Sequence, residues 1–128
     1  MKNADAAQVI TKSDASKNVI LHHLSSFREN DLPAVISDYT NESVLITPDG
    51  TYKGPEEIKG FFTGLMVHFP KQDSDFNLDK VVAKDGLVYI IWHAKTPSLE
   101  VTLGSDTFIV EDGKIFQQTF VGQMNFIN

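Results

Sequence analysis

The sequence predicts an α+β domain in which helices pack on one side of a curved antiparallel sheet. Two observations predict it. Apolar residues recur at three- and four-residue spacing up to about residue 70 and at two-residue spacing beyond it, so helices come first and a strand meander follows. The second half is also punctuated by Asp85-Gly86 and Asp112-Gly113, dipeptides that suit tight turns between antiparallel strands.

Residues 1–13 are polar and alanine-rich with weak periodicity, which predicts a flexible or weakly helical tail ahead of a single domain over 14–128. A capping signal at Ser13-Asp14 opens a first helix whose buried stripe is Val19, Ile20, Leu24 and Phe27 and which ends near Asn30. Asp31 caps a short second helix, with Pro33 in the first turn where its missing N–H costs nothing. Residues 43–47 are apolar and β-branched, and Pro48-Asp49-Gly50 turns them back into 51–53 as a hairpin. Gly54-Pro55-Glu56-Glu57 starts a third helix, with proline early and acids where the helix dipole favours negative charge. Its stripe is Ile58, Phe61, Phe62, Leu65 and Phe69, and Pro70 marks its end. Strands are then expected over 76–84, 87–96, 100–111 and 114–126.

Composition excludes several classes of function. A net charge of -6 and scattered basic residues argue against nucleic acid as a partner. The chain has no cysteine, which removes disulfides, thiolate metal sites and thiol nucleophiles, and favours a cytoplasmic address. No stretch approaches the ~20 apolar residues of a membrane span, and the start lacks a signal-peptide core. His-Glu-x-x-His, paired metal-ligand spacings, glycine-rich phosphate loops and Gly-x-Ser-x-Gly are all missing from the sequence. The expectation is a protein with no metal and no cofactor.

Strand alternation places Phe108, Val110 and Ile115 on one face of the late strands and Ile109, Phe116 and Phe120 on the other, taking Asp112-Gly113 as a two-residue turn. One face covers the helices. The second is too apolar for plain solvent, which predicts a homodimer through the outer sheet face. The same alternation puts a carboxylate, Asp106, on the face of Phe108 and Val110.

Three motifs in order resemble the nuclear transport factor 2-like superfamily in its branch of SnoaL-like small proteins: Phe27-Arg28-Glu29-Asn30-Asp31-Leu32; Tyr52-Lys53-Gly54-Pro55-Glu56-Glu57-Ile58 with Phe61-Phe62; and Gly104-Ser105-Asp106-Thr107-Phe108 before Glu111-Asp112-Gly113-Lys114-Ile115. They extend over residues 16–126. The resemblance implies a cone of three helices and a strongly bent sheet (NTF2-like, or cystatin-like) enclosing an apolar cavity. Such proteins include polyketide cyclases, ketosteroid isomerases, epoxide hydrolases and dehydratases, as well as binding and scaffold proteins without chemistry, so function has to be argued from the site.

Asp106 matches the place where ketosteroid isomerases and SnoaL-like cyclases stand an acid in the pocket. Burial there raises a carboxyl pKa and suits it to acid–base work or to donating a hydrogen bond; the alternative is a solvated Asp106 at the rim, or one bonded to a neighbouring strand. His23 lies eight residues before Asp31, where ketosteroid isomerases place their catalytic tyrosine, and it shares a helix face with Val19, Ile20 and Phe27. Its alternative is a core histidine satisfied by a backbone carbonyl. The third candidate is His93, which sits opposite Asp106 in one strand register, while a shift of one residue puts Trp92 there instead. Thr47, Tyr39, Tyr52, Phe61, Met66, Trp92 and Phe108 are candidate cavity walls. Thr47 stands before Pro48 where ketosteroid isomerases keep their proton-abstracting aspartate, which counts against steroid isomerase activity. The only arginine, Arg28, leaves the Asp-Arg-Asp set of epoxide hydrolases incomplete. The expected function is binding of a small, largely apolar, ring-containing molecule, with isomerisation, cyclisation or dehydration beside a carbonyl as the chemistry such a site supports. The alternative is a non-catalytic ligand-binding or dimeric association module.

Overall fold

A computed structural model describes residues 10–127; most of the expected N-terminal tail lies outside the described residues. The chain runs α1 (Lys12–Arg28), α2 (Leu32–Ile36), β1 (Tyr39–Thr47), β2 (Gly50–Lys53), α3 (Gly54–Met66), β3 (Asp75–Lys84), β4 (Leu87–Lys95), β5 (Leu99–Glu111) and β6 (Lys114–Phe126). This is the α+β architecture the periodicity predicts. The strands form one open sheet in the order β2-β1-β6-β5-β4-β3. Neighbours are antiparallel except β1 and β6, which no hairpin connects.

Caps explain the helix limits. Thr11, rather than Ser13, caps α1, its side chain accepting from the Asp14 N–H at 3.0 Å. The Ser13 hydroxyl instead accepts from the backbone of Asp85 at 2.7 Å, tying the helix start to the β3–β4 turn. Asp31 caps α2 through the Ala34 N–H. At the start of α3 the Glu57 carboxylate takes the Lys53 N–H at 2.8 Å. That helix stops at Met66, short of Pro70, because the Asn30 side-chain amide donates to the carbonyls of Met66 and Phe69 at 2.9 and 2.7 Å. Two helix ends are thus joined through groups that would otherwise lack partners.

α1 packs on β3, β4 and β5, while α3 packs on β1 and β2. Ile20, Leu45, Ile58, Val88, Leu99 and Ile115 fill the space between helices and sheet with their surfaces almost wholly removed from solvent. Bulges bend the sheet around that core. One lies in β5 at Thr102, where Val101 pairs with Met124 and Leu103 with Gln123. Another lies in β6 at Phe116, where Ile109 pairs with Gln117 but Val110 with Ile115. The second corrects an expectation from plain alternation. The extra residue reverses the parity of β6, so Phe120 pairs with Asp106 and joins the inner face instead of the outer one. The turn before it is the expected two-residue hairpin, with Asp112 and Gly113 both at positive φ (51° and 75°).

Candidate functional site

Inside the sheet's concave face lies a small cavity lined by His23, Leu24 and Phe27 of α1, Phe61, Phe62 and Leu65 of α3, and Phe76, Trp92, Asp106, Phe108, Gln118 and Phe120 of the sheet. Its walls are aromatic and aliphatic except at His23, Asp106, Gln118 and the indole N–H. The volume is about 40 Å³, room for a water or a few and not for a ring compound.

Asp106 is 7% exposed. Trp92 Nε1–H donates to its Oδ1 at 2.8 Å and the Gln118 amide donates to its Oδ2 at 2.9 Å. Strand register makes both contacts. Trp92 pairs across β4 and β5 with Gly104, and its indole lies so close that a Cβ on Gly104 would come within 2.3 Å of the ring. Glycine there lets the ring lie over the backbone and reach the acid two residues on. Phe76 and Phe120 stack near the indole, at centroid distances of 5.0 and 6.0 Å. Burial pushes the Asp106 carboxyl up from 3.8 to about 6; the hydrogen bonds from Trp92 and Gln118 and the nearby His23 hold it from rising further.

Behind the cavity the polar groups continue as a chain. Gln118 Oε1 accepts from the Tyr39 hydroxyl, which lies 3.4 Å from His23 Nε2, and His23 Nδ1 lies 3.1 Å from Asp38 Oδ2. Asp38, His23, Tyr39, Gln118 and Asp106 are all buried. Among the described residues no buried side-chain nitrogen or oxygen lacks a hydrogen-bond partner. The Tyr39 hydroxyl is pushed well above its ordinary value by burial, then by the charges of Asp106 and Asp38, so it stays neutral and carries one hydrogen. No lysine or arginine lines the cavity.

His23 and Asp106 therefore share the cavity, and Trp92, Phe61 and Phe108 form part of its wall. His93 does not join them. Odd-numbered residues of β4 face away from the helices, so His93 is exposed and paired with Asp79 at 2.7 Å, and Trp92 takes the place beside Asp106. Tyr39 sits behind the cavity, and Met66 is buried in the core outside the lining. Thr47 and Tyr52 line a separate open groove of about 570 Å³ along α3 and β6. Phe61, Leu65 and Phe120 belong to both spaces and stand between them. The sequence reading missed Asp38 and Gln118. Only the bulge at Phe116 turns Gln118 inward, and nothing in the spacing of Asp38 announces its pairing with His23.

Residues 20–118 match the sequence profile of the SnoaL-like domain. The chain belongs to that family. Among curated proteins none matches it in sequence. Solved structures with the same fold include a candidate ketosteroid isomerase from Kribbella flavida DSM 17836, at TM-score 0.73 and 10% identity over 94% of this chain and 86% of that one. A candidate SnoaL-like polyketide cyclase from Shewanella denitrificans OS-217 aligns at TM-score 0.68 and 17% identity, covering 84% and 90% of the two chains. An LEH-like epoxide hydrolase from M. tuberculosis aligns at TM-score 0.68 and 12% identity, covering 87% and 84%. Identities this low speak for the fold alone. Among the described residues no helix is long and apolar enough to cross a membrane, and no three His, Cys, Asp or Glu side chains are grouped as a metal site.

Proposed function

We propose that the cone binds a small, largely apolar molecule carrying one oxygen function, with Asp106 as its polar contact and as an acid–base group for isomerisation, cyclisation or dehydration beside a carbonyl. A single observation carries this reading: a buried carboxyl faces a cavity walled mostly by aromatic and aliphatic side chains, with its pKa at about 6, where it exchanges a proton near neutral pH. Trp92 and Gln118 donate to its two oxygens and orient it. Structures of the same fold described as isomerase, cyclase and epoxide hydrolase are consistent with this reading. Thr47 offers no base, and its hydroxyl is engaged with the turn at Asp49 and Gly50, which counts against the steroid isomerase reaction.

At about 40 Å³ the cavity is closed to such a ligand, whereas small-molecule sites commonly span ~300 Å³ or more. Phe61 and Phe120, ring centroids 6.3 Å apart, stand between it and the groove. Entry on this reading requires those rings to swing. The protein then bears the cost of opening, and Phe61→Ala should tighten binding by removing it. A thermal-shift and calorimetry screen of cyclic ketones, enones and aromatic acids against both forms tests this. Stabilisation by phosphorylated compounds alone, or by nothing in either form, rejects the reading.

The small cavity also favours a second reading, a dimeric association module. Val82, Leu87, Tyr89, Leu103 and Val121 are each between 39% and 55% exposed on the outer sheet face, an apolar surface that a second copy of the chain would cover. Sedimentation equilibrium at micromolar concentration tests it, and a species of 14.3 kDa alone rejects it.

A further inference from the structure

We infer that Gln118 couples Asp106 to His23, the orientation of its amide deciding which of the two carries one shared hydrogen. The argument is a count of donors. In the arrangement observed, the Gln118 NH₂ donates to Asp106 and its Oε1 accepts the single hydrogen of Tyr39. Tyr39 then has no hydrogen for His23, while His23 Nδ1–H points to the Asp38 carboxylate. The contact between Tyr39 and His23 Nε2 is an attraction only when Nε2 carries a hydrogen. One closed state therefore has Asp106 as carboxylate and His23 as imidazolium.

A second state closes equally well with the same number of hydrogens. The Gln118 amide turns over, so that its NH₂ donates to the Tyr39 oxygen and its Oε1 faces Asp106. Tyr39 now donates to His23 Nε2. Asp106 Oδ2 holds the hydrogen that His23 Nε2 has given up, and donates it to Gln118 Oε1. Trp92 donates to Asp106 Oδ1, and His23 to Asp38, in both states. Mixed states fail. With Asp106 ionised and His23 neutral, a buried acceptor lacks a donor; with both protonated, two hydrogens meet at one contact.

The groups facing the chain are few. From α1 come His23 and the exposed His22, whose Nδ1 lies 3.5 Å from Asp38 Oδ1. Asp38 precedes β1, Tyr39 begins it, β4 offers Trp92, β5 Asp106 and β6 Gln118, while α3 presents only the apolar Phe61, Phe62 and Leu65. Gln118 acts through Asp106, as a positioning residue that ties the form of the acid facing the cavity to a histidine on the opposite wall. The inference concerns the ligand-free protein and stands apart from whether any molecule is turned over.

A double-mutant cycle read by NMR tests it. The His23 ring nitrogens are titrated in wild type, Asp106→Asn, Gln118→Met and the double variant. Asparagine mimics the protonated acid: its NH₂ faces Gln118 Oε1, so Asp106→Asn should lower the pH at which His23 loses its second hydrogen. With methionine at 118 that effect should largely vanish. An equal effect in both backgrounds means plain charge attraction and overturns the inference. Tyr39→Phe, which keeps the ring and removes the hydroxyl, carries the same expectation if Gln118→Met fails to fold. Nuclear Overhauser contacts of the Gln118 amide hydrogens give a direct readout. At one pH they should lie on the Asp106 side in wild type, as observed here, and on the Tyr39 side in Asp106→Asn, and one orientation in both proteins also overturns the inference.

Discussion

Two histidine–aspartate contacts of similar geometry stand in opposite surroundings. His23 and Asp38 meet at 3.1 Å with side chains 3% and 10% exposed; His93 and Asp79 meet at 2.7 Å with side chains 49% and 43% exposed. The shorter contact is the less consequential. Water already solvates both members of the outer pair, whereas the inner pair has only protein partners, so its loss leaves a buried polar group unsatisfied. Distance describes a contact; burial decides its worth.

The largest break in that contrast is Asp38→Ala. It strips the partner from His23 Nδ1 and loosens the chain leading to Asp106. By the usual cost of breaking a buried pair it should lower stability by roughly 3 to 5 kcal/mol, measured by urea unfolding at neutral pH. A loss below about 1 kcal/mol, the value of an exposed pair, would erase the distinction between the two sites.

Next comes the pH dependence of Asp106. Its carboxyl has a higher value folded, about 6, than unfolded, 3.8. Between those values this carboxyl holds more protons in the native state than in the unfolded chain. Stability should therefore fall as pH rises across this window and level off above it, by roughly 3 kcal/mol from this group. Asp106→Asn should remove that slope and be neutral or stabilising near pH 7, provided Gln118 turns its amide to meet the new NH₂. Unfolding curves at several pH values on both proteins check the sign. Wild-type stability that rises across the window would refute the burial argument.

How much of this was legible in the sequence differs between the same two regions. Element order and turns follow from period and punctuation, and alternation on β5, unbroken from Gly104 to Val110, sets Asp106 on the face of Phe108; the family resemblance is what names that face as the inner one. The walls on β6 were not legible, since a bulge adds one residue at Phe116 and leaves the local pattern Ile115-Phe116-Gln117-Gln118 looking like ordinary strand. His93 and Trp92 were separable only by register. Register is settled by where the indole finds room, and that room is the missing Cβ of Gly104.

Gly104→Ala tests that last point and should rank third. The added methyl meets rigid, buried indole atoms rather than a flexible chain end, so Trp92 has to move, at a cost of roughly 1 to 3 kcal/mol. The displaced N–H also leaves Asp106 Oδ1 without its donor, and the carboxyl should titrate higher than in wild type. Loss of stability with an unchanged Asp106 titration would mean that the backbone yields and the indole stays.

The smallest effect belongs to Asp79→Ala on the outer face. Asp79 lies at the irregularity where β3 and β4 shift register between Leu78 and Lys80, so it makes no regular cross-strand pair that the substitution would break. His93 loses its partner but remains in water. Fixing two side chains offsets most of the attraction, and salt screens the remainder, so the change in stability should stay within about 0.5 kcal/mol and shrink further at high ionic strength. The result depends on what covers this face. If a second copy of the chain packs across Val82, Tyr89 and Val121, which share the outer face with His93, the pair sits at the rim of an interface and its loss should grow with protein concentration. Unfolding at two concentrations a hundredfold apart separates these cases. A large loss at both would show that exposure of the pair does not set its value, and would sink the contrast between the two histidines altogether.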